Sequence, residues 1–248
     1  QRGYRSGLIK HPKIKDMNIR MITLVCAVVA VLQITPHYGE ESIDNTDPWV
    51  GWHRPVDANV FITTKGNNHD SVLFVEAELE YPYHLIISHT PQHAHLWRTK
   101  KFSWTSEDWE LVSDKYEIGK HYEYDDGVKV DGTYYLYEEG KVYTFSGPIE
   151  KASGKWKAAG SFPHKKCDDI GVYYEDGLFH IFGEHGNFPH GPDGTSLAHF
   201  TSKTGLGDWE MVSPKAVDPN PDGGNKYGVG DATIAKIQGS YYLFCDRG

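Results

Sequence analysis

From residue 72 onward, apolar and polar positions alternate with a period of two in short runs, the pattern of a strand with one face buried. The predicted strands are Val72–Ala77, Tyr83–His89, Ala94–Arg98, Tyr134–Tyr137, Val142–Phe145, Val172–Tyr174, Leu178–Phe182, Leu197–Thr201 and Tyr241–Phe244. They are rich in Tyr, Phe, Val and Ile, the residues that pack well on a pleated surface. Clusters of Gly, Asp, Asn and Pro separate them, as tight hairpins require. No stretch holds a helical period through three turns, so the chain reads as all-β.

The runs repeat as a unit. An aspartate, a short apolar run, a polar residue next to glycine and an aromatic strand recur at Asp126–Tyr137, Asp169–Phe182 and Asp231–Phe244. A second element recurs beside the first, a tryptophan after a turn and before a short strand, at Trp109, Trp156 and Trp209. A spacing of about 45 to 60 residues falls near that of propeller blades, small antiparallel sheets that bury their faces by stacking on one another. The sequence therefore predicts a β-propeller of four-stranded blades running from Asp57 to Val112, Tyr124 to Phe162, Lys166 to Val212 and Lys226 onward. The last unit breaks off after one strand signal, so the chain is expected to be a fragment of a longer protein.

Ahead of the blades, Ile22–Ile34 is an apolar run of a length that suits a secretory signal core and is short for a bilayer span. It follows Met17-Asn-Ile-Arg20. The organisation expected is upstream residues plus signal over 1–38 (the signal itself about 17–38), a polar connector over 39–56 and the partial propeller over 57–248. Secretion is the leading reading of that run, and a signal-anchor is the runner-up. Secretion leaves Cys167 and Cys245 in the mature part, where a bridge between neighbouring blades and two buried thiols are both compatible with the sequence.

The formal charge of −9 and the absence of a basic stripe exclude a nucleic-acid surface. Beyond the signal, nothing points to a membrane, and the sequence does not address oligomeric state.

Inner strands of a propeller line its axis, so aspartates heading several blades converge on one hollow. Asp126 or Asp125, Asp169 or Asp168, and Asp231 stand at such places, and Asp70 takes that place in the first unit. Carboxylates gathered together push one another's pKa values apart, which lets an acid and a base coexist at one pH. Glycosidic bond cleavage needs such a pair. Aspartate also serves as a turn residue, and Asp131 and Asp176, each before glycine, read as structural.

The whole pattern resembles the five-bladed propeller glycosidases, the superfamily of arabinanases, levansucrases and invertases, and most nearly glycoside hydrolase family 43. The resemblance spans Asp57 to Gly248 and rests on the blade architecture and on signatures such as Asp131-Gly-Thr-Tyr-Tyr-Leu-Tyr137. It implies an inverting hydrolase acting on a carbohydrate substrate, with Asp70 as base and Asp126 as the aspartate that tunes and orients. In the third unit Asp169 stands where the family has a glutamate acid; either this shorter acid serves, or the acid comes from elsewhere, with Glu184 in Phe182-Gly-Glu-His-Gly-Asn187 the best substitute. Asp125, Asp168, Asp231, His185, His190 and Trp97 are the candidate substrate-binding residues. No cofactor is demanded; calcium occurs in the channel of some relatives. The alternative is a non-catalytic propeller that binds carbohydrate or protein, and a lyase is disfavoured by the acidic balance.

Overall fold

The computed structural model describes residues 20–23, 68–89, 93–103, 106–119, 124–186, 195–217, 228–237 and 239–247, with backbone alone for 20–23, 68–70, 89, 106 and 246–247. These residues form an all-β propeller of antiparallel blades. Blade 1 is β2 (Asn68–Val75), β3 (Tyr83–His89), β4 (His93–Thr99) and β5 (Glu110–Tyr116). Blade 2 is β6 (Asp126–Val130), β7 (Thr133–Glu138), β8 (Lys141–Ser146) and β9 (Lys157–Ser161). Blade 3 is β10 (Asp168–Glu175), β11 (Leu178–His185), β12 (Ser196–Ser202) and β13 (Glu210–Val217). The fourth sheet pairs β14 (Val229–Ile237) with β15 (Ser240–Arg247). Its third strand is β1 (Arg20–Thr23), which lies in the segment read as a secretory signal and runs parallel to β15. The rest of that segment and the connector lie outside the described residues. Among the described residues no helix is long and apolar enough to cross a membrane.

The strands follow from the alternation. On β7, Tyr134 and Leu136 face blade 1 and pack with Val72, Phe74, Ile86 and Leu96. On the opposite face, Tyr137 and Val142 pack with Ile170, Phe179, Ile181 and Phe200 of blade 3. A third cluster, Phe182, Leu197, Val229, Ala232 and Leu243, joins blade 3 to blade 4. Burying the facing sides of neighbouring sheets in this way is what lets four small sheets hold together. The Asp-Gly hairpins do what the sequence predicts: Asp131 and Gly132 have φ of 48° and 77°, and Asp176 and Gly177 have 50° and 80°. Two successive left-handed residues make the turn whose twist matches the flanking strands.

The recurrent tryptophans pin the outer strands. Trp209 Nε1 donates to the Ser161 carbonyl of blade 2 at 2.9 Å. Trp156 Nε1 donates to Tyr116 Oη of blade 1 at 3.3 Å, and that hydroxyl donates to the Ile149 carbonyl at 2.7 Å. Trp109 stays within its own blade, donating to the Ser103 carbonyl at 3.0 Å. Cys167 and Cys245 are both buried, in different apolar clusters, and do not bridge each other.

Candidate active site

The inner strands β2, β6, β10 and β14 neighbour one another in that order, so their first residues meet at one end of the axis. Each inner hairpin fixes a register from which position can be counted. Asp169 and Asp231 both stand six residues before the last paired residue of their strands, Glu175 and Ile237. Both lie within a bulge, where the register shifts between Asp168 and Gly171 and between Gly230 and Thr233. Both also adopt a left-handed backbone, φ 41° and 46°. Bulges of this kind re-aim side chains, and aspartate is among the few residues that accept this conformation at low cost.

Asp126 is placed differently. It stands four residues before Val130, in unbroken register with Tyr137. Its Oδ1 accepts from the Gly127 N–H at 2.7 Å, and its Oδ2 accepts from the Val172 N–H of blade 3 at 2.8 Å. The carboxylate is thus a tie between two blades. Burial pushes its pKa up to about 7 against the opposing pull of these two donors. Its neighbour Asp125 takes the axial place in blade 2.

Two groups of carboxylates result, sharing Asp169. Oxygens of Asp125, Asp168 and Asp169 lie within 4.8 Å of one another, as do oxygens of Asp169, Glu184 and Asp231. Glu184 is buried, at 5% exposure, while Asp169 and Asp231 are exposed. It reaches the cluster because β11 pairs it with Asp168 across the sheet. Five carboxyl groups, two from β10, one each from β11 and β14 and one from the residue before β6, therefore share one hollow. Asp70 belongs to β2, but its side chain lies outside the described residues, as does all of His190. In blade 1 the register shifts between Asn68 and Ser71, so the residue matching Asp169 and Asp231 is His69, and Asp70 follows it.

On the rim, His185 donates from Nδ1 to the Lys166 carbonyl at 2.8 Å, which fixes the turn leading into β10. Within that turn His164 brings Nδ1 to 2.9 Å from Asp168 Oδ1, a partner that the sequence reading missed although it stands four residues ahead of the aspartate pair. Cys167, buried beside the cluster, has its thiol pushed up by desolvation, with Asp125 and Asp168 adding to the rise. Trp97 stands apart from the axial hollow. It lies across from Leu85 and Leu111 and packs with Leu85, Ile87 and Trp109 on the face of blade 1 turned away from blade 2.

No family model matches the sequence, and no curated protein matches it. Solved structures do resemble the fold. An endo-1,4-β-xylanase of Bacteroides thetaiotaomicron aligns with a TM-score of 0.51 at 13% identity, over 71% of this chain and 64% of that one. An α-L-arabinofuranosidase of Podospora anserina aligns at 0.48 and 14% identity, over 73% and 64%. A GH43 enzyme of Xanthomonas citri aligns at 0.46 and 12% identity, over 73% and 67%. The chain thus spans just under two thirds of the xylanase and the arabinofuranosidase. The fold is shared with that xylanase, and the likeness at this identity is one of architecture.

Proposed function

We propose that this protein is a secreted glycoside hydrolase that cleaves O-glycosidic bonds in a polysaccharide or oligosaccharide by carboxylate acid/base catalysis with inversion. The observation that carries the reading is the meeting of Asp125, Asp168, Asp169, Glu184 and Asp231 at one end of the axis. Like charges this close resist full ionisation together, which suits the trio of Asp169, Glu184 and Asp231 to an acid's role. Glu184, the most buried of them, is the general acid that protonates the departing oxygen. Inversion requires a base about 6.5–9.5 Å from the acid, with a water between. The trio is packed within 4.8 Å, so the base stands outside it, and Asp70 on the inner strand of blade 1 is the candidate. Asp126 holds blades 2 and 3 in place, and His185 and Asp231 line the hollow for the sugar. A hard cation such as calcium suits the oxygen-only set of Asp125, Asp168 and Asp169 and would neutralise charge there; no step of the reaction runs through it.

The test is a panel of aryl glycosides and polysaccharides offered to the full-length protein and its Glu184→Gln and Asp70→Asn variants. Glu184→Gln should lower turnover about a thousandfold while folding is kept. Unchanged turnover in both variants would refute the assignment. The second reading, a propeller that binds carbohydrate or protein without cleaving it, is favoured by the engagement of both Asp126 oxygens with backbone donors. It requires glycan retained on an affinity gel with no new reducing ends.

A further inference from the structure

On the face of blade 3 that meets blade 4, β11 places Glu184, Phe182 and His180 in one column, because alternate residues of a strand share a face. From β12, His199 stands opposite Phe182. The two rings lie flat on each other, 4.3 Å between centroids and 3° between planes. His199 then reaches His180: Nε2 of the first and Nδ1 of the second are 3.0 Å apart, with the rings stacked at 5.3 Å. His199 is buried and His180 half-buried. Phe182 belongs to the apolar cluster that joins the two blades.

A hydrogen bond between two imidazole nitrogens needs one of them bare, so this couple cannot be doubly protonated and remain bonded. Burial disfavours the charged form as well. It lowers the pKa of His199 to about 4, with His180 adding to the fall. It lowers His180 too, against an upward pull from Glu175 and Asp176. The other titratable groups around the pair are Tyr173 of β10, which meets Tyr241 of β15 edge to face, and Lys236 of β14, which pairs with Glu175. On its own strand Glu184 is four residues away.

We propose that His180 and His199 are a positioning pair for Glu184, a neutral imidazole couple that keys β11 and β12 to blade 4 and lets go when it is protonated. The proposal rests on the reading of Glu184 as the acid. The first proton places a charge in the apolar cleft, the second breaks the shared hydrogen bond, and Phe182, two residues from Glu184, is loosened. A histidine kept neutral by folding binds protons more readily in the unfolded chain. The pair's contribution to stability is therefore present above the ordinary imidazole value near 6.5 and is lost as pH falls towards about 4.

The test uses the full-length protein with His199→Gln and His180→Asn, whose amides reach the places of Nε2 and Nδ1 and carry no titrating proton. Imidazole ¹⁵N resonances, unfolding midpoints and kcat and KM are followed from pH 8 to pH 4, the last two on a substrate found in the glycoside panel. The pair is supported if His199 in the wild type titrates below about pH 5 and the stability advantage of the wild type over His199→Gln shrinks as pH falls. Positioning is supported if the acid limb of kcat moves by about one pH unit or more in His199→Gln with KM unchanged. Titration of His199 near 6.5, or a stability difference constant with pH, overturns the pair. An acid limb that does not move overturns its link to Glu184. If nothing in the panel is cleaved, the glycosidase reading falls and the positioning role with it, while the resonances and midpoints still decide whether the pair is a pH-sensitive clasp.

Discussion

Blade 2 and blade 3 begin with the same two letters, Asp125-Asp126 and Asp168-Asp169, and follow them with the same kind of aromatic strand. In blade 3 a bulge turns Asp169 into a left-handed, exposed position among other carboxylates. In blade 2 the ladder runs without a shift from Asp126, and that side chain is consumed by two backbone N–H groups, one of them from the next blade. One aspartate of the pair comes to the hollow in blade 2, whereas both do in blade 3. The difference is one of register: a bulge decides whether a carboxylate faces the hollow or ties two blades together.

The sharpest way to break this contrast is to neutralise one aspartate from each blade. On the proposed function, Asp169→Asn should lower turnover at unchanged unfolding midpoint, because it removes a charge beside Glu184 while asparagine tolerates the same left-handed backbone. Asp126→Asn should do the reverse. Its amide nitrogen cannot accept a hydrogen bond, so one buried backbone donor loses its partner and stability falls by about 1–3 kcal/mol in denaturant unfolding, with turnover little changed. Loss of turnover in Asp126→Asn at full stability would break the comparison.

A second contrast lies one or two residues further along. A methyl group on Gly171 would meet the Ala232 carbonyl oxygen at 2.5 Å and Thr233 Cα at 2.8 Å, both backbone of blade 4. On Gly127 it would meet the ring end of Phe74 at 2.6 Å, Val72 Cγ1 at 2.9 Å and the Tyr135 carbonyl oxygen at 3.0 Å, so its two tightest contacts are side chains. Gly171→Ala should therefore cost about 2–3 kcal/mol, and Gly127→Ala less; equal costs would mean that the two inner strands are packed alike. The smallest effect is expected from Trp209→Phe, which keeps the ring packing but removes the donor to Ser161. A loss of about 1 kcal/mol by thermal unfolding measures what that hydrogen bond contributes.

Much of this organisation is legible in the sequence. The period of two shows the strands, and the Asp-Gly turns at Asp131 and Asp176 close the inner hairpins where expected. The spacing of Trp109, Trp156 and Trp209 gives the phase of the blades. That acidic residues gather at the axial end is legible as well, since they recur at the head of successive inner strands. The alignment of the repeats by their aspartates is not sufficient, however. It equates Asp126 with Asp169 and Asp231, while the hairpin registers set it two residues further on. Trp97 carries no local mark that separates a sugar platform from an apolar face, and packing against Leu85 and Trp109 settles its place. The His180–His199 couple is likewise silent in sequence, because the two residues lie on different strands and meet only through the β11–β12 register.

The sequence by itself determined the class of structure, the length of the repeat and the residue types available at the axis, because periodicity, turn chemistry and composition act within a few residues of the chain. Which carboxylates meet, which one is spent on holding blades together and which histidines share a proton were decided by the tertiary structure. Those outcomes depend on bulges and on backbone contacts between strands some 40 to 60 residues apart, and no local pattern of side chains encodes such long-range register.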